Sequence, residues 1–184
     1  MELMQAIKDR RSVRDYTDEP VSREEILSLI EAAAASPSAM NLQPWSFVVV
    51  EGKERLERMS GLAKRALLAM PSADAAHRTM LQDPSYNIFY GAPCLIIVCA
   101  RPPSRQAAED CCLAAHGLML AAHGRGWGTC WIGTARPWLE LPQTRSLLGL
   151  LPDQVPVAPI IVGEPASVSA PTPRHKPLVL WPAL

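Results

Sequence analysis

The chain has 184 residues, of which 48% are hydrophobic and 20% charged, and its 18 lysines and arginines balance its 18 aspartates and glutamates. This length and composition are typical of one globular domain, so the sequence predicts a single domain over residues 1–184 rather than a disordered chain. A formal charge of zero and an aromatic content of only 5% argue against nucleic-acid binding and against attachment to an anionic membrane.

The cysteines and the first residues indicate the cellular compartment. The chain has five cysteines, an odd number: Cys94, Cys99, Cys111, Cys112 and Cys130. No two of them form a C-x-x-C pair, and most lie in apolar stretches of the sequence. We therefore expect reduced thiols. The opening "MELMQAIKDR" lacks the apolar stretch of a signal peptide, and no run approaches the ~18 apolar residues of a membrane span. The sequence thus predicts a cytoplasmic protein without a membrane partner.

The first third of the chain predicts two helices and a loop. Apolar residues of "MELMQAIKDR" share one face of a short helix that ends at a cluster of arginines. Ser22 and Glu25 have the S-x-x-E spacing of a capping box, which predicts a second helix over about residues 23–35. That helix stops before Pro37, where the small polar residues of "SPSAMNLQPW" indicate a loop.

The middle of the chain predicts two strands separated by a helix. "SFVVV" (residues 46–50) has the composition of a buried strand, and helical spacing of apolar residues follows from Lys53 to about Met70. "CLIIVCA" (residues 94–100) predicts a second buried strand. Residues 71–91 show no clean period, so we expect a lid or an irregular loop there.

The last third begins with a helix of small residues, predicted from Glu109 to about residue 125. Such a helix can be buried on several sides, at the centre of the fold or at a subunit interface. "WGTCWIG" (residues 127–133) predicts a short strand, "PWLELPQTRSLLGLLP" contains one short helix, and "VPVAPIIVG" (residues 155–163) predicts the last strand. Residues 166–184 are rich in proline and predict an extended tail.

This order of elements determines the predicted fold class. Helices separate most of the strands, but they do so without a regular βαβ repeat. The sequence therefore predicts an α+β fold in which helices pack around one central sheet, mixed or antiparallel.

The motifs of several common enzyme classes are missing. "GRGWG" (residues 124–128) follows a helix rather than a strand, so it does not form the phosphate loop of a dinucleotide-binding fold. The sequence contains no P-loop, H-E-x-x-H or G-x-S-x-G motif. His116 and His123 share a helix face, but no third ligand accompanies them, so we predict no metal site. No catalytic acid, base or nucleophile is predicted.

Three arginines and a serine crowd into residues 10–14, "RRSVR". By itself this cluster suits a solvated helix end, where basic side chains are common. It also suits an anion clamp, because guanidinium groups and hydroxyls bind phosphate oxygens. A second basic pair, Arg174 and Lys176, lies in the extended tail, where alternate side chains point the same way. Both clusters can share one anion if the two ends of the domain meet, as such ends often do.

Five motifs occur in a fixed order: "RRSVR", "SPSAMNLQPWSFVVV", "GAPCLIIV", "GRGWGTCWIG", and "VGEP" followed by "PRHKPL". This series resembles the nitroreductase family of flavoproteins over nearly the whole chain. Each motif alone is weak, whereas five in order at suitable spacing are specific. The resemblance implies a nitroreductase-like fold, an intertwined homodimer and FMN as the cofactor.

The resemblance also implies roles for the N-terminal cluster. Arg10 and Ser12 would hold the phosphate and ribityl oxygens of FMN. Arg14 would lie near the pyrimidine edge of the ring, where a cation stabilises the charge of the reduced flavin. Arg11 would contribute backbone contacts while its side chain points elsewhere.

Further cofactor contacts are implied in the second half of the chain. Arg174 and Lys176 would complete the phosphate site; because some relatives have Lys before Arg, which of the two binds the phosphate stays open. Trp131, Ile132 and Gly133 resemble the stretch that lies over the flavin ring. Gly133 would allow a close approach of the backbone that a side chain would block.

The loop after the second helix resembles the segment that reaches across the dimer to the partner's flavin. The residues of this loop that are implied to contact or support the cofactor are Pro37, Ser38, Ala39, Asn41 and Gln43. Asn87 matches a family asparagine near the pyrimidine edge, although the loop around it differs in length.

The activity implied by the resemblance is a ping-pong oxidoreductase. NADH or NADPH would pass a hydride to flavin N5 and leave, and a nitroaromatic, quinone or similar small acceptor would then be reduced. The cofactor would carry the chemistry, which explains why no catalytic side chains are predicted. A dehalogenase, a flavin-fragmenting enzyme and a non-catalytic FMN-binding protein are the alternatives.

Overall fold

A computed structural model describes residues 2–71, 75–168 and 170–182 of the chain. Its sheet contains β1 (Trp45–Glu51), β2 (Cys94–Ala100), β3 (Gly128–Trp131) and β4 (Val155–Gly163), in the spatial order β1-β2-β4-β3. Every neighbouring pair of these strands is antiparallel. The predicted α+β class with a central sheet is confirmed.

Seven helices accompany the sheet in the described part of the chain. They are α1 (Leu3–Asp9), α2 (Arg23–Ala34), α3 (Lys53–Ala69), α4 (Ala75–Gln82), α5 (Arg105–Gly124), α6 (Arg136–Leu139) and α7 (Pro142–Leu147). Single 3-10 turns follow α2 at Ala39–Asn41 and β3 at Gly133–Ala135. Of the helices in this part of the chain, none combines the length and the apolar character that crossing a bilayer requires.

The sheet is buried on both faces because β2 and β4 carry buried side chains at nearly every position. On one face, Ile96 and Ile160 pack against α5 at Leu118, and α2 packs behind it. On the other face, Leu95 and Ile161 belong to a second core that includes residues of α3 and α6. β2 and β4 are the central strands, which leaves β1 and β3 at the two edges of this sheet.

The start of α2 is tied to the start of β3. Ser22 Oγ accepts a hydrogen bond from Glu25 N at 3.2 Å, as the predicted N-cap requires. The Glu25 carboxylate accepts hydrogen bonds from outside α2, from Trp127 Nε1 at 3.2 Å and from Arg125 Nη1 at 3.4 Å. Glu25 therefore connects α2 to the turn that leads into β3.

Three sequence predictions need correction. α5 begins at Arg105 rather than at Glu109, because the Ser104 hydroxyl accepts from Ala107 N and caps the helix earlier. Residues 71–91 were expected to form a lid or an irregular loop; they contain α4, so the irregular loop is wrong for this part, and the lid stays a prediction. The only buried residue of α4 is Leu81, and one buried residue gives no visible apolar period. Residues 72–74 of that segment lie outside the described residues. The single short helix expected after β3 is two, α6 and α7, each with a proline in its first turn.

Candidate functional site

The segment after α1 joins β3 on one side and the beginning of the tail on the other. Val13 N donates to Thr129 O at 2.9 Å, so this segment lies beside β3 and runs parallel to it. Thr17 N donates to Glu164 O at 3.0 Å, and a tail N–H donates back to Asp15 O. The expected meeting of the two ends of the chain is confirmed, and the arginines lie where they meet.

Two glycines make this close approach possible. A Cβ on Gly128 would lie 2.9 Å from the side chain of Val13. A Cβ on Gly163 would lie 2.6 Å from Pro93 Cδ and 2.8 Å from Tyr16 Cδ1. Side chains at these positions would push the arginine segment away from the sheet, so the glycines of "WGTC" and "VGEP" are packing requirements of the site.

The two ends of the chain enclose a cavity of about 590 Å³. The residues that line it come from both ends and include four arginines and a single acid: Arg10, Arg11, Ser12, Arg14, Asp15, Ala170, Thr172 and Arg174. Guanidinium groups and a serine hydroxyl are suited to the oxygens of a phosphate or carboxylate. This is the arrangement of an anion site.

The positively charged side chains of this cavity repel one another. Burial, followed by the guanidinium groups of Arg174 and Arg11, lowers the pKa of Arg10 from its ordinary value. Arg10 Nη1 is also buried without a hydrogen-bond partner among the described residues. An anion between Arg10 and Arg174 would offset the repulsion and provide the missing acceptor.

The Arg11 side chain closes the end of α1. Its Nη1 donates to Lys8 O at 2.6 Å and to Arg10 O at 2.9 Å, which are carbonyl groups at the C-terminal end of the helix. A cation in this position also interacts favourably with the helix dipole. Arg11 thus binds carbonyl groups of its own chain while it also lines the cavity.

Arg14 lies at the other end of the same segment, against an aromatic ring. Its guanidinium carbon is 5.8 Å from the centroid of the Tyr90 ring, a cation–π distance. The pKa of the Cys130 thiol is raised above its ordinary value by burial, although Arg14 and a hydrogen bond with Ser12 oppose this shift. Because the segment runs parallel to β3, Arg14 is displaced from Arg10 toward Trp131.

The loop after α2 does not line the cavity of its own chain. Ala39 N donates to both carboxylate oxygens of the buried Asp110, each at 3.3 Å. Gln43 N donates to Ser38 Oγ at 2.9 Å, and Gln43 Nε2 donates to Asn41 Oδ1 at 3.1 Å. Met40, Asn41 and Gln43 all have positive φ (51°, 56° and 49°), and Pro37 precedes them on the exposed side. Sequence reasoning missed Asp110, the carboxylate that holds this loop to α5.

Other predicted residues lie near the cavity without lining it. Ile132 is buried and its N–H donates to Pro159 O at 2.8 Å, whereas Trp131 is half-buried and Gly133 is exposed at the end of β3. Asn87 accepts from Phe89 N through its Oδ1 at 2.8 Å, so its side chain stabilises a turn. Lys176 is exposed beyond the cavity, while Arg174 lines it.

Ala170, which lines the cavity, was not predicted, and neither were three residues with polar or aromatic side chains. Asp15 and Thr172 line the cavity, and each had a usable signal: Asp15 follows the arginine cluster directly, and Thr172 precedes Arg174 by two positions in an extended segment. Tyr90 had none, because its contact with Arg14 joins residues far apart in sequence.

Comparison with known proteins identifies the family. The family model described as the nitroreductase family matches residues 7–164, a range that includes the whole sheet and the N-terminal arginine cluster. The chain belongs to the nitroreductase family. The resemblance found in the sequence motifs is thereby confirmed.

Several known proteins resemble this chain over most of its length. An FMN reductase [NAD(P)H] from Bacillus subtilis is 31% identical over 94% of this chain and 70% of its own. A nitrobenzene nitroreductase from Ectopseudomonas oleovorans is 29% identical over 85% of this chain and 84% of its own. The crystal structure of a nitroreductase with bound FMN from Bacteroides fragilis is 27% identical, covers 96% of this chain and 95% of its own, and superposes with a TM-score of 0.84.

Proposed function

We propose that this chain is an FMN-dependent oxidoreductase that takes a hydride from NADH or NADPH and reduces a small acceptor such as a nitroaromatic or a quinone. The observation that carries the proposal is the meeting of Arg10, Ser12 and Arg174 at one cavity in a chain of the nitroreductase family. The FMN bound in the Bacteroides structure and the names of the two relatives support this choice of cofactor, donor and acceptor.

The charges of the cavity fit the two ends of FMN. The cofactor has a dianionic phosphate at one end and a ring at the other, so it needs cations at two separate points. Arg10 and Arg174 supply the first point beside the Ser12 hydroxyl, and the unpartnered Arg10 Nη1 suits a phosphate oxygen. Arg14 supplies the second, displaced along the segment toward the end of β3.

The protein contributes binding and electrostatics to the proposed reaction. When bound, FMN supplies hydride transfer at its N5 atom and carries two electrons between the donor and the acceptor in turn. The Arg14 guanidinium would stabilise the negative charge that the reduced ring gathers at its pyrimidine edge. A Cβ on Gly133 would meet no atom of the described residues within 4 Å, so the packing of the chain does not require glycine there. Close approach of the flavin ring would require it.

The proposed enzyme is a homodimer in which each site draws on both copies. The loop after α2 has a backbone with positive φ and is held by buried Asp110, which is typical of a segment kept for function. Since it does not reach its own cavity, we assign Pro37, Ser38, Ala39 and Asn41 to the site of the second copy. Large apolar side chains that are exposed in one chain would be covered there, including Met40, Leu113 on α5 and the tail residues Leu178 and Trp181.

Anaerobic mixing with NADH or NADPH tests the proposal. The protein is expected to bind FMN stoichiometrically, to lose its yellow colour with one of the two donors, and to regain it when a nitroaromatic or a quinone is added. Free FMN with the same donor is the control for the uncatalysed reaction. Colour that persists with both donors would refute the enzyme and leave a non-catalytic FMN-binding protein.

A further inference from the structure

Arg14 is held by an aromatic face rather than by an acid. Its guanidinium carbon lies 5.8 Å from the centroid of the Tyr90 ring. Within the described ranges it forms no ion pair with a carboxylate, although Asp15 lines the same cavity. An aromatic ring attracts and orients a cation but carries no net charge. Arg14 is therefore positioned while its positive charge remains available to a bound molecule.

Tyr90 has a backbone conformation that tyrosine rarely adopts. Its φ is +53°, and the next residue, Gly91, has φ of +69°. For a bulky side chain this left-handed region is strained, whereas glycine or asparagine occupies it easily. Strain of this kind persists where the surrounding structure imposes it and is concentrated at functional sites. The presence of an aromatic ring at this strained position calls for a role of that ring.

The surroundings of Tyr90 form a rigid support anchored to α3. Tyr86 meets the Tyr90 ring edge-on, with 5.9 Å between centroids and an interplanar angle of 84°. Lys64 of α3 donates to Asp83 O at 2.6 Å and to Tyr86 O at 2.8 Å. The buried Ser60 hydroxyl accepts from Ile88 N at 2.9 Å. These contacts fix the turn that leads to Tyr90, so the ring can hold the Arg14 side chain in one place.

We propose that Tyr90 is a positioning residue that fixes the Arg14 guanidinium beside the reduced flavin ring and thereby raises the preference of the site for reduced over oxidised FMN. The inference rests on the proposed function, because it takes FMN as the ligand and Arg14 as the cation at its pyrimidine edge. A carboxylate in the place of Tyr90 would orient Arg14 equally well but would cancel the charge that the reduced ring needs. An aromatic ring provides the orientation without that cancellation.

The test measures the redox preference, defined as the Kd of oxidised FMN divided by the Kd of reduced FMN. It is measured by anaerobic titration on the full chain for the wild type, Tyr90→Phe, Tyr90→Gly, Arg14→Gln, and the double variant Tyr90→Gly/Arg14→Gln. Tyr90→Phe keeps the ring and is the matched control. Glycine adopts positive φ without strain, so Tyr90→Gly relieves the backbone, and Tyr90→Asn provides a second ringless variant that tolerates this region.

The expected result is a specific pattern of redox preference. Tyr90→Gly and Tyr90→Asn should lower it about two- to fivefold, the range expected for a cation over an aromatic ring at a partly exposed site. Tyr90→Phe should retain it, and Arg14→Gln should lower it at least as far as Tyr90→Gly. The double variant should match Arg14→Gln alone, because Tyr90 acts through Arg14.

Two results would overturn the inference while leaving the proposed function in place. One is an unchanged redox preference in both ringless variants or in Arg14→Gln. The other is full additivity in the double variant, which would mean that Tyr90 acts independently of Arg14. A wild-type protein that binds no FMN would instead remove the proposed function and this inference together, and that result appears before any variant is compared.

Discussion

Replacing Arg10 with methionine is expected to weaken FMN binding without destabilising the FMN-free protein. Burial and the guanidinium groups of Arg174 and Arg11 lower the pKa of Arg10, so folding without an anion works against its charged form. Methionine keeps an apolar stem for packing and removes the charge. The two effects have opposite signs: the apo protein gains or keeps stability, and the complex loses a phosphate contact.

The expected loss of FMN affinity follows from the geometry of the Arg10 side chain. Its buried Nη1 is free to donate to a phosphate oxygen, and a hydrogen bond to a charged group contributes about 1.5–3 kcal/mol. At ~1.4 kcal/mol per factor of ten, the Kd for FMN should rise about 10- to 150-fold. Quenching of FMN fluorescence on binding to the apo protein measures this Kd, and urea denaturation of the same apo protein measures the free energy of unfolding.

Arg58→Met is the matched control, since Arg58 is exposed on α3 and its ion pair with Glu54 is long, at 4.0 Å. It should change neither the Kd nor the unfolding midpoint. An Arg10→Met protein whose Kd stays within about twofold of the wild type would remove Arg10 from the proposed phosphate site. A marked loss of apo stability would refute the argument that the arginines repel one another.

Gly163→Ala should lower the free energy of unfolding by about 1–3 kcal/mol in urea denaturation, because the added methyl group would lie 2.6 Å from Pro93 Cδ. Gly124→Ala, where a methyl group meets nothing within 4 Å, is its control, and equal midpoints for the two variants would contradict the packing argument. Removing residues 177–184 takes away the exposed Leu178, Leu180 and Trp181 and should convert the proposed dimer to a monomer with loss of FMN; a truncated dimer in gel filtration would refute the role of the tail. Burial raises the pKa of the Cys94, Cys99 and Cys111 thiols from 9.0 to about 12, so the stability that they contribute as neutral thiols is complete below pH 9.0 and is lost as the pH rises toward 12. Circular dichroism in urea across this window checks the direction, and stability that rises with pH would show the sign to be wrong.

The sequence predicted those parts of the fold whose signal is local. β2 and β4 are buried on both faces and therefore appear as continuous apolar runs, so their bounds agree with the prediction. The beginning of α2 was found through Ser22, whose side chain caps the helix in the structure. α4 was missed because its contact with the core depends on one residue, Leu81. An element that buries one side chain leaves no period to detect.

The residues of the candidate site likewise fall into those that the sequence could predict and those that it could not. The two basic clusters could be found because several cations close together in a neutral chain are visible without a structure. The ring that holds Arg14 could not be found, since the positive φ of Tyr90 and its distance from Arg14 along the chain leave no mark in the sequence. Asp110 falls inside the helix predicted from Glu109 and was given no role, although its carboxylate is buried and holds the loop after α2.

The tail lines the cavity, so the position of the tail depends on whether a ligand is bound there. Only the first residues of the tail are held by the sheet-like hydrogen bonds near Thr17 and Glu164, and residues 170–182 are exposed wherever the structure describes them. Arg174 therefore approaches Arg10 against their mutual repulsion and with little apolar burial to offset it. A dianion between the two reverses the sign of that electrostatic free energy. The same ligand that needs both ends of the chain would thus stabilise their association, which couples cofactor binding to the completion of the fold.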